Sequence, residues 1–462
     1  MDSLSQFALG AAVAVALVGR RTAVWKAALW GGVVGTLPDL DALVDHGDAV
    51  RNMVLHRAET HAIFWQTLAS VPLAAGITVL MSRSSRAPPE VAGPQGAVPA
   101  GDAPLRASAG AARWAHFPRW WLTVWLVLVT HALLDAMTVY GTRLALPFSS
   151  QPYGLGSIFI IDPLYTVPLL AGLACTLWWR GPRPARWNAA GLLLSTAYLA
   201  WSAMAQQHVT SVLRTQLDQR ADAAAIERVL VTPTPFNTVL WRIVLMRADG
   251  HEEGFHSLLD RGRPIRFTLY PAQRGLYEEV RALEAVASIA AFSRGFFRVE
   301  ERAGTLRITD LRMGQEPDYV FSFAVARRGS SPQPVQPPVA VGGRDDIDVP
   351  AALNWLWLRA IGHDLDPPRA HLRVQGMRAM NCAVAYLPQR STWTRRVVLR
   401  WIGDEFQEME IDGIRPHAVQ PQGTVLATAL DNERIQLDLA TMEWASDYRG
   451  LATGRGRCDW IR

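Results

Sequence analysis

Carboxylates and imidazoles gather at the ends of apolar stretches in the first third of this 462-residue chain. They are Asp39 and Asp41 in Pro-Asp-Leu-Asp, His56 and His61 in His-Arg-Ala-Glu-Thr-His, and His131 and Asp135 in His-Ala-Leu-Leu-Asp. Ionisable groups at or near a bilayer are costly to desolvate, so they mark function by default, above all when they can neutralise one another around a cation. Mixed imidazole and carboxylate ligation suits Zn, Mn or Fe, and this many groups could hold one or two ions. Such an ion lowers the pKa of its bound water and stabilises a developing oxyanion, which is the chemistry of a hydrolase. The plainer role for acids and histidines at helix ends is capping or salt bridging.

Spacing refines the set. His131 and Asp135, four apart on an expected helix, project from one face and can share an ion. His56 and His61, five apart, would point in different directions on a continuous helix. We therefore expect His56 in a loop and His61 in the first turn of the next apolar segment. Pro38 ends the segment before it, and the two-residue spacing of Asp39 and Asp41 suits one side of an extended strand. Asp162 is a further candidate ligand, although Asp162-Pro163 equally fits an N-cap followed by proline at the first helical position. Arg57 and Arg143 could bind a phosphate through paired hydrogen bonds, or instead pair with Asp45, Asp48 or Glu59. Tyr140, Gly141 and Thr142 shape the turn after His131 and Asp135.

The elements that must position these residues differ between the two halves of the chain. Half of all residues are hydrophobic, but the long apolar runs lie within residues 1–205, whereas 206–462 alternate polar and apolar positions. The apolar runs, about 4–19, 24–38, 61–81, 117–135, 163–179 and 187–205, lead us to expect a multi-pass α-helical membrane domain of about six segments. Gly31, Gly32 and Gly35 in the second allow close helix packing. Basic residues occupy alternate loops: Arg20, Arg21 and Lys26; Arg83, Arg86, Arg106 and Arg113; Arg180, Arg183 and Arg186. If these loops are cytoplasmic, every residue of the candidate cluster and the whole C-terminal half face the periplasm. The net charge of +5 thus resides in short loops, and Lys26 is the only lysine, a composition that argues against a nucleic-acid partner.

Residues 82–116, rich in Ala, Pro, Gly and Ser, read as a flexible loop. Residues 206–230 read as a helix, with Val209, Leu213 and Leu217 on one face. The remainder of 206–327 is mainly β, with one helix over 277–292; residues 328–350 form a Pro- and Gly-rich linker, and 351–462 a last, mainly β segment. Cys382 and Cys458 could pair if they meet in an oxidising compartment. No stretch has the form of a cleavable signal peptide.

Several of these stretches together resemble the membrane-bound metal-dependent hydrolase family, the YdjM-like, LexA-binding inner-membrane hydrolases. They are residues 1–6, Gly35 through Asp41, His56 through His61, His131 through Gly141, Pro147-Phe148-Ser149 and Ile161 through Tyr165. The resemblance implies a bacterial inner-membrane hydrolase whose ligands correspond to Asp39, Asp41, His56, His61, His131 and Asp135. It also implies a distant likeness to zinc-dependent phospholipase C and single-strand nucleases. Relatives commonly carry histidine where this chain has Gln6. Residues 232–327, with Trp241-Arg242, Gly254 through Leu258 and Asp310-Leu311-Arg312-Met313-Gly314, resemble the tail of a longer subgroup of the same family.

The expected activity is attack of metal-activated water on an ester, with a phosphodiester or phospholipid favoured because the site would lie at headgroup depth in the bilayer. His56, His61, His131 and Asp135 are the expected catalytic groups. The competing expectation is a non-enzymatic envelope scaffold whose polar cluster only stabilises the helices. A transporter ranks below both, because the polar groups gather at one end and leave no trail across the spans.

Overall fold

The computed structural model describes residues 1–83, 114–179, 185–273, 275–302, 304–329, 331–341, 349–367, 377–402, 405–416, 418–422 and 424–461. These residues fall into two compact units, one from Met1 to Asp345 with Val349–Leu365, the other dominated by residues 366–462.

Among the described residues the first unit begins with seven α-helices: α1 (Ser3–Val18), α2 (Val24–Thr36), α3 (Ala49–Leu55), α4 (Ile63–Arg83), α5 (Phe117–Ala136), α6 (Pro163–Trp178) and α7 (Ala185–Leu217). Asp2 starts α1 by accepting hydrogen bonds from the Leu4 and Ser5 amides, and Asp162 does the same for α6 through Leu164, so local capping sets both starts. Helices α1 and α2 approach closely at glycine: a Cβ on Gly10 would lie 2.3 Å from the Gly31 carbonyl oxygen, and Gly35 and Gly32 meet Gly10 and Phe7. Ala8, Ala11, Val15, Ala27, Val34, Val124, Val127, Leu128, Tyr165 and Leu169 form the shared helical core.

The expectation of six membrane segments is not upheld. Helices stand at all six positions, but among the described residues only Ile63–Ser82 and Phe117–Ala136 are long and apolar enough to cross a bilayer. The physical limit is length: 16 residues, as in α1 and α6, extend roughly 24 Å against a hydrocarbon core of about 30 Å. Helix α2 is shorter still, at 13 residues, and α7 is long but has no sufficiently apolar stretch. Residues 84–113 and 180–184 lie outside the described residues, and with them most of the expected 82–116 loop and the basic positions Arg86, Arg106, Arg113, Arg180 and Arg183.

Helix α7 ends at Leu217, and the stretch expected to stay helical to 230 instead turns into strand β1 (Ile226–Pro233). With β2 (Leu240–Arg247), β3 (Gly250–Ser257) and β4 (Phe267–Pro271) it forms an antiparallel sheet in sequential order. Val209 and Leu213 of α7 pack on its Val231, Trp241, Ile243 and Leu245. Two helices, α8 (Leu276–Val280) and α9 (Glu284–Phe292), occupy the region where one was expected. They lie against a second antiparallel sheet containing β5 (Phe297–Arg302), β6 (Thr305–Asp310), β9 (Ser322–Arg327) and β10 (Gln333–Ala340), in the order β10-β9-β6-β5; between β6 and β9 runs the short hairpin β7 (Gly314–Gln315) and β8 (Asp318–Tyr319). Strand β10 lies within the expected linker: Val339 and Ala340 pair with Ala324 and Phe323, so that stretch is partly folded, while 342–348 lie outside the described residues. Helix α10 (Val349–Ala360), expected in the last segment, belongs to the first unit, where Arg359 binds the Asp260 carboxylate.

The second unit is one eight-stranded antiparallel sheet from β11 (Met377–Leu387) to β18 (Ala452–Trp460), with Val384, Leu399, Ile411, Leu426, Leu437 and Trp444 in its core. Its order places β13 (Glu405–Ile411) and β14 (Val419–Gln422), neighbours in the chain, at opposite edges that approach one another, so the sheet nearly closes on itself. Cys382 and Cys458 face each other across β11 and β18 and form a disulfide.

Candidate metal centre

Four side chains from three distant stretches converge: Asp39, His61, His131 and Asp135 each offer one ligand atom, all within 4.8 Å of one another. Asp39 lies in a six-residue 3-10 helix, Pro38–Leu43, directly after α2. His61 closes a second 3-10 turn, Glu59–His61, just before α4. His131 and Asp135, one turn apart, lie at the C-terminal end of α5. The cluster therefore occupies the end of the α4–α5 pair at which α4 begins and α5 finishes. His61, His131 and Asp135 are wholly buried, and Asp39 is the partly open member.

The hydrogen bonds behind the imidazoles fix which nitrogen faces the centre. His131 Nδ1 lies 2.7 Å from the Gly35 carbonyl oxygen, which can only accept, so Nδ1 carries the proton and Nε2 is left bare. Thr60 donates its hydroxyl proton to Asp41 Oδ2 at 2.6 Å, and its oxygen stands 2.9 Å from His61 Nδ1. That oxygen accepts from Nδ1–H, which again leaves Nε2 bare. The two Nε2 atoms are 3.0 Å apart, and Asp135 Oδ2 lies 3.2 Å from the first and 3.5 Å from the second. Asp39 Oδ1 is 3.6 Å from both. With His61 neutral, four acceptor atoms thus face one another at close range, and either a cation or a proton on His61 Nε2 must lie between them.

These spacings fit a cation. Ligand atoms about 2.0 to 2.2 Å from a tetrahedral ion lie roughly 3.3 to 3.6 Å from each other; the separations of 3.5, 3.6 and 3.6 Å fall in that range, and those of 3.0 and 3.2 Å lie just below it. Asp39 Oδ2 is buried without a hydrogen-bond partner, a costly state for a carboxylate oxygen unless positive charge is near; Asp135 Oδ2 already has the Arg57 guanidinium at 3.3 Å. Burial alone would depress the basicity of His61, but its contacts with Asp135, Asp39 and Asp41 outweigh that and raise its pKa to about 9. Asp41 shows the reverse balance. Burial pushes its pKa up, while hydrogen bonds from His56, His61 and Thr60 hold it far below the usual carboxylate range.

Of the residues singled out in the sequence, Asp41 and His56 stand behind the cluster. Asp41 Oδ2 is 3.4 Å from His61 Nδ1, and its Oδ1 is 2.8 Å from His56 Nδ1. The expected extended strand at Asp39 and Asp41 is a 3-10 helix instead, which Pro38 at its first position favours. With three residues per turn, positions two apart point in different directions, so one acid meets the Nε2 face and the other the Nδ1 face. Asp162 is not in the group: its oxygens accept from the Leu164 amide and the Tyr198 hydroxyl. Arg57 does not pair with the nearby loop acids. Its buried guanidinium stands 3.3 Å from Asp135 Oδ2 and donates to Thr138. Arg143 is half-buried, its amide donates to the Arg57 carbonyl, and its Nε has no hydrogen-bond partner.

Four contributors were not read as part of the site. Thr60 and the Gly35 carbonyl orient the two histidines, and Gln6 donates to Asp135 Oδ1 at 3.0 Å, alongside the Met1 amino group. The signal for Gln6 was present, since it occupies the position where relatives carry histidine. Nothing in the type or spacing of Thr60 or Gly35 announces an orienting role.

Among the described residues, fold and site comprise a helical region with two helices long and apolar enough to cross a bilayer and a buried His/Asp group able to hold a metal ion, followed by β regions. Residues 1–209, the helical region, match the family model described as YdjM inner membrane protein. No curated protein and no solved structure matches the chain.

Proposed function

We propose that the helical region is a metal-dependent hydrolase of the inner membrane that cleaves an ester, with a phosphodiester or phospholipid as the substrate class. The observation that carries this reading is the convergence of one ligand atom each from Asp39, His61, His131 and Asp135, all within 4.8 Å of one another. Zn fits two imidazoles and two carboxylates, and Mn or Fe is the alternative. A bound divalent ion would supply Lewis acidity and acidify nearby water.

The chain's own residues do the rest. Thr60 and Asp41 hold His61, and the Gly35 carbonyl holds His131, so that both Nε2 atoms point inward without reorganisation. Arg57, close to Asp135, offsets part of its charge. Arg143, half-buried, tied to the Arg57 carbonyl through its amide and with Glu59 as a nearby opposite charge, is the cation we assign to an anionic substrate. The position of the cluster at the end of the two apolar helices supports an interfacial substrate, and the disulfide of the second unit supports a periplasmic site.

A second reading is favoured by the number of protein ligands. Four side chains can close a zinc site that is purely structural, whereas a catalytic site commonly keeps one position open. Partly exposed Asp39 is the ligand that would have to yield.

The test is metal analysis of the detergent-purified full chain together with hydrolysis of a phosphodiester and of phospholipid vesicles. We expect about one or two equivalents of metal, loss of both metal and hydrolysis in His61→Ala and His131→Ala, and weakened retention of metal in Asp41→Asn. Protein with no stoichiometric metal, and no change in either variant, sinks the proposal. Metal without turnover on any ester leaves the structural site.

A further inference from the structure

The family match ends at residue 209, yet the structure behind the cluster continues into residues 276–326. The link is Tyr140, in the turn that follows Asp135. Its ring is almost wholly buried and touches both sides at once. Toward the cluster it meets the His56 ring edge-on, with centroids 5.7 Å apart, and the Arg57 guanidinium at 5.1 Å. Toward the β region it meets Phe292 of α9 at 5.3 Å and Phe321 at 5.8 Å. Its hydroxyl donates to the Met53 carbonyl of α3, and Val50, Met53 and Val54 share one core with Val286, Ile289, Leu306 and Ile308.

The backbone of the same turn is held independently. Arg312 donates to the Tyr140 carbonyl at 2.9 Å and is itself fixed by buried Asp310, at 2.6 Å from Nη2 and 3.0 Å from Nε. Its guanidinium lies over Phe292 at 4.9 Å. A planar five-donor group clamped to a carboxylate and stacked on a ring is a rigid strut, and lysine could not reproduce it. Asp310 and Arg312 belong to the Asp-Leu-Arg-Met-Gly stretch, to which the proposed chemistry assigns no role.

His56 and Arg57 are the two residues on the far side of that ring, and both support carboxylates of the site. His56 contacts Asp41, while Arg57 contacts Asp135 and also donates its amide to Asp41. We propose that the 276–326 region is part of the site, with Tyr140 and Arg312 as positioning residues that hold His56 and Arg57, and through them Asp41 and Asp135, in the geometry that receives the ion. The inference rests on the metal reading only for what the geometry receives. Its substance is that the second sheet with α9, outside the family match, sets that geometry.

The experiment compares the full chain with Arg312→Ala, Tyr140→Leu and Tyr140→Phe. Zinc affinity is measured by competition with a chelating dye, and thermal unfolding is followed in parallel. Loss of an outer-shell contact costs on the order of 10-fold or more in metal affinity, so we expect weakening of that size in Arg312→Ala and Tyr140→Leu, with recovery in Tyr140→Phe, which keeps the ring. A merely structural role would lower the unfolding temperature and leave the affinity of the folded protein unchanged, and that result overturns the proposal. If those variants do not fold, Phe321→Leu, which thins one ring contact, is judged by the same affinity criterion. If the parent takes up no zinc, the hydrolase reading fails on its own. The positioning claim is then decided by the His56 imidazole resonances in Arg312→Ala, which must shift if it holds and stay in place if it does not.

Discussion

His61 carries the clearest residue-scale consequence, because its proton and the proposed metal ion would compete for the same nitrogen. In the metal-free protein its pKa is raised from 6.5 to about 9. The stability it contributes is therefore complete below its unfolded value of 6.5 and disappears as pH rises through about 9. Chelator-treated protein should lose thermal stability across that window, and added zinc should remove the loss, since metal replaces the proton. Unfolding curves collected along this pH range with and without zinc check it; a flat metal-free profile would show that His61 is not held by Asp135 and Asp39 as described. Asp41 has the opposite sign: its lowered pKa contributes stability above the ordinary 3.8 that is lost in acid. The ligand types and the His131–Asp135 spacing were legible in the chain because a helix fixes where position i+4 points. The division of labour between Asp39 and Asp41 was not, because two acids two residues apart have different fates in a strand and in a 3-10 turn.

Helix contacts are the matter at the scale of elements. Glycines in the second apolar run pointed to close packing, and the structure shows the partner: Gly31 and Gly10 bring α1 and α2 into backbone contact. A side chain at Gly31 would meet the Gly10 carbonyl oxygen at 2.3 Å and the Ala14 Cβ at 2.4 Å. Gly31→Val should therefore destabilise the helical region by about 1 to 3 kcal/mol or prevent folding, as overpacking does. Gly76→Ala in α4 meets nothing within 4 Å and should be tolerated. Thermal unfolding of both variants in detergent decides this, and equal stability would mean that the two helices do not touch there. Strand β3 illustrates the opposite case. Its sequence, Gly-His-Glu-Glu-Gly-Phe-His-Ser, has few apolar residues, yet all eight positions are buried. Glu252 is paired with Arg220 and Arg247, and Glu253 with Arg242. Hydrophobic alternation cannot reveal a strand whose buried charges are neutralised by residues elsewhere in the chain.

For the whole molecule, the question is which side of the membrane the β regions occupy. A disulfide between Cys382 and Cys458 forms and persists in an oxidising compartment. Thiol labelling of denatured protein extracted under non-reducing conditions should modify Cys175 alone, and all three cysteines after reduction. Three reactive thiols before reduction would place the second unit in a reducing compartment and remove the support for a periplasmic site. The span count is also a property of the whole. Six apolar runs are visible along the chain, but among the described residues helix length and the polarity of α7 leave two helices that could cross a bilayer.

The sequence by itself determined the identity of the candidate ligands, their i+4 pairing on α5, the glycine positions of α2 and the change from helical to β character after the apolar segments. These follow from local periodicity and from side-chain chemistry that each residue carries wherever it stands. Only the tertiary structure decided that Asp39, His61, His131 and Asp135 form the inner group while Asp41, His56 and Arg57 support them, and that residues near 300 brace a turn near 140. Those outcomes depend on contacts between segments far apart in the chain, and no local pattern encodes which distant partner a side chain will meet.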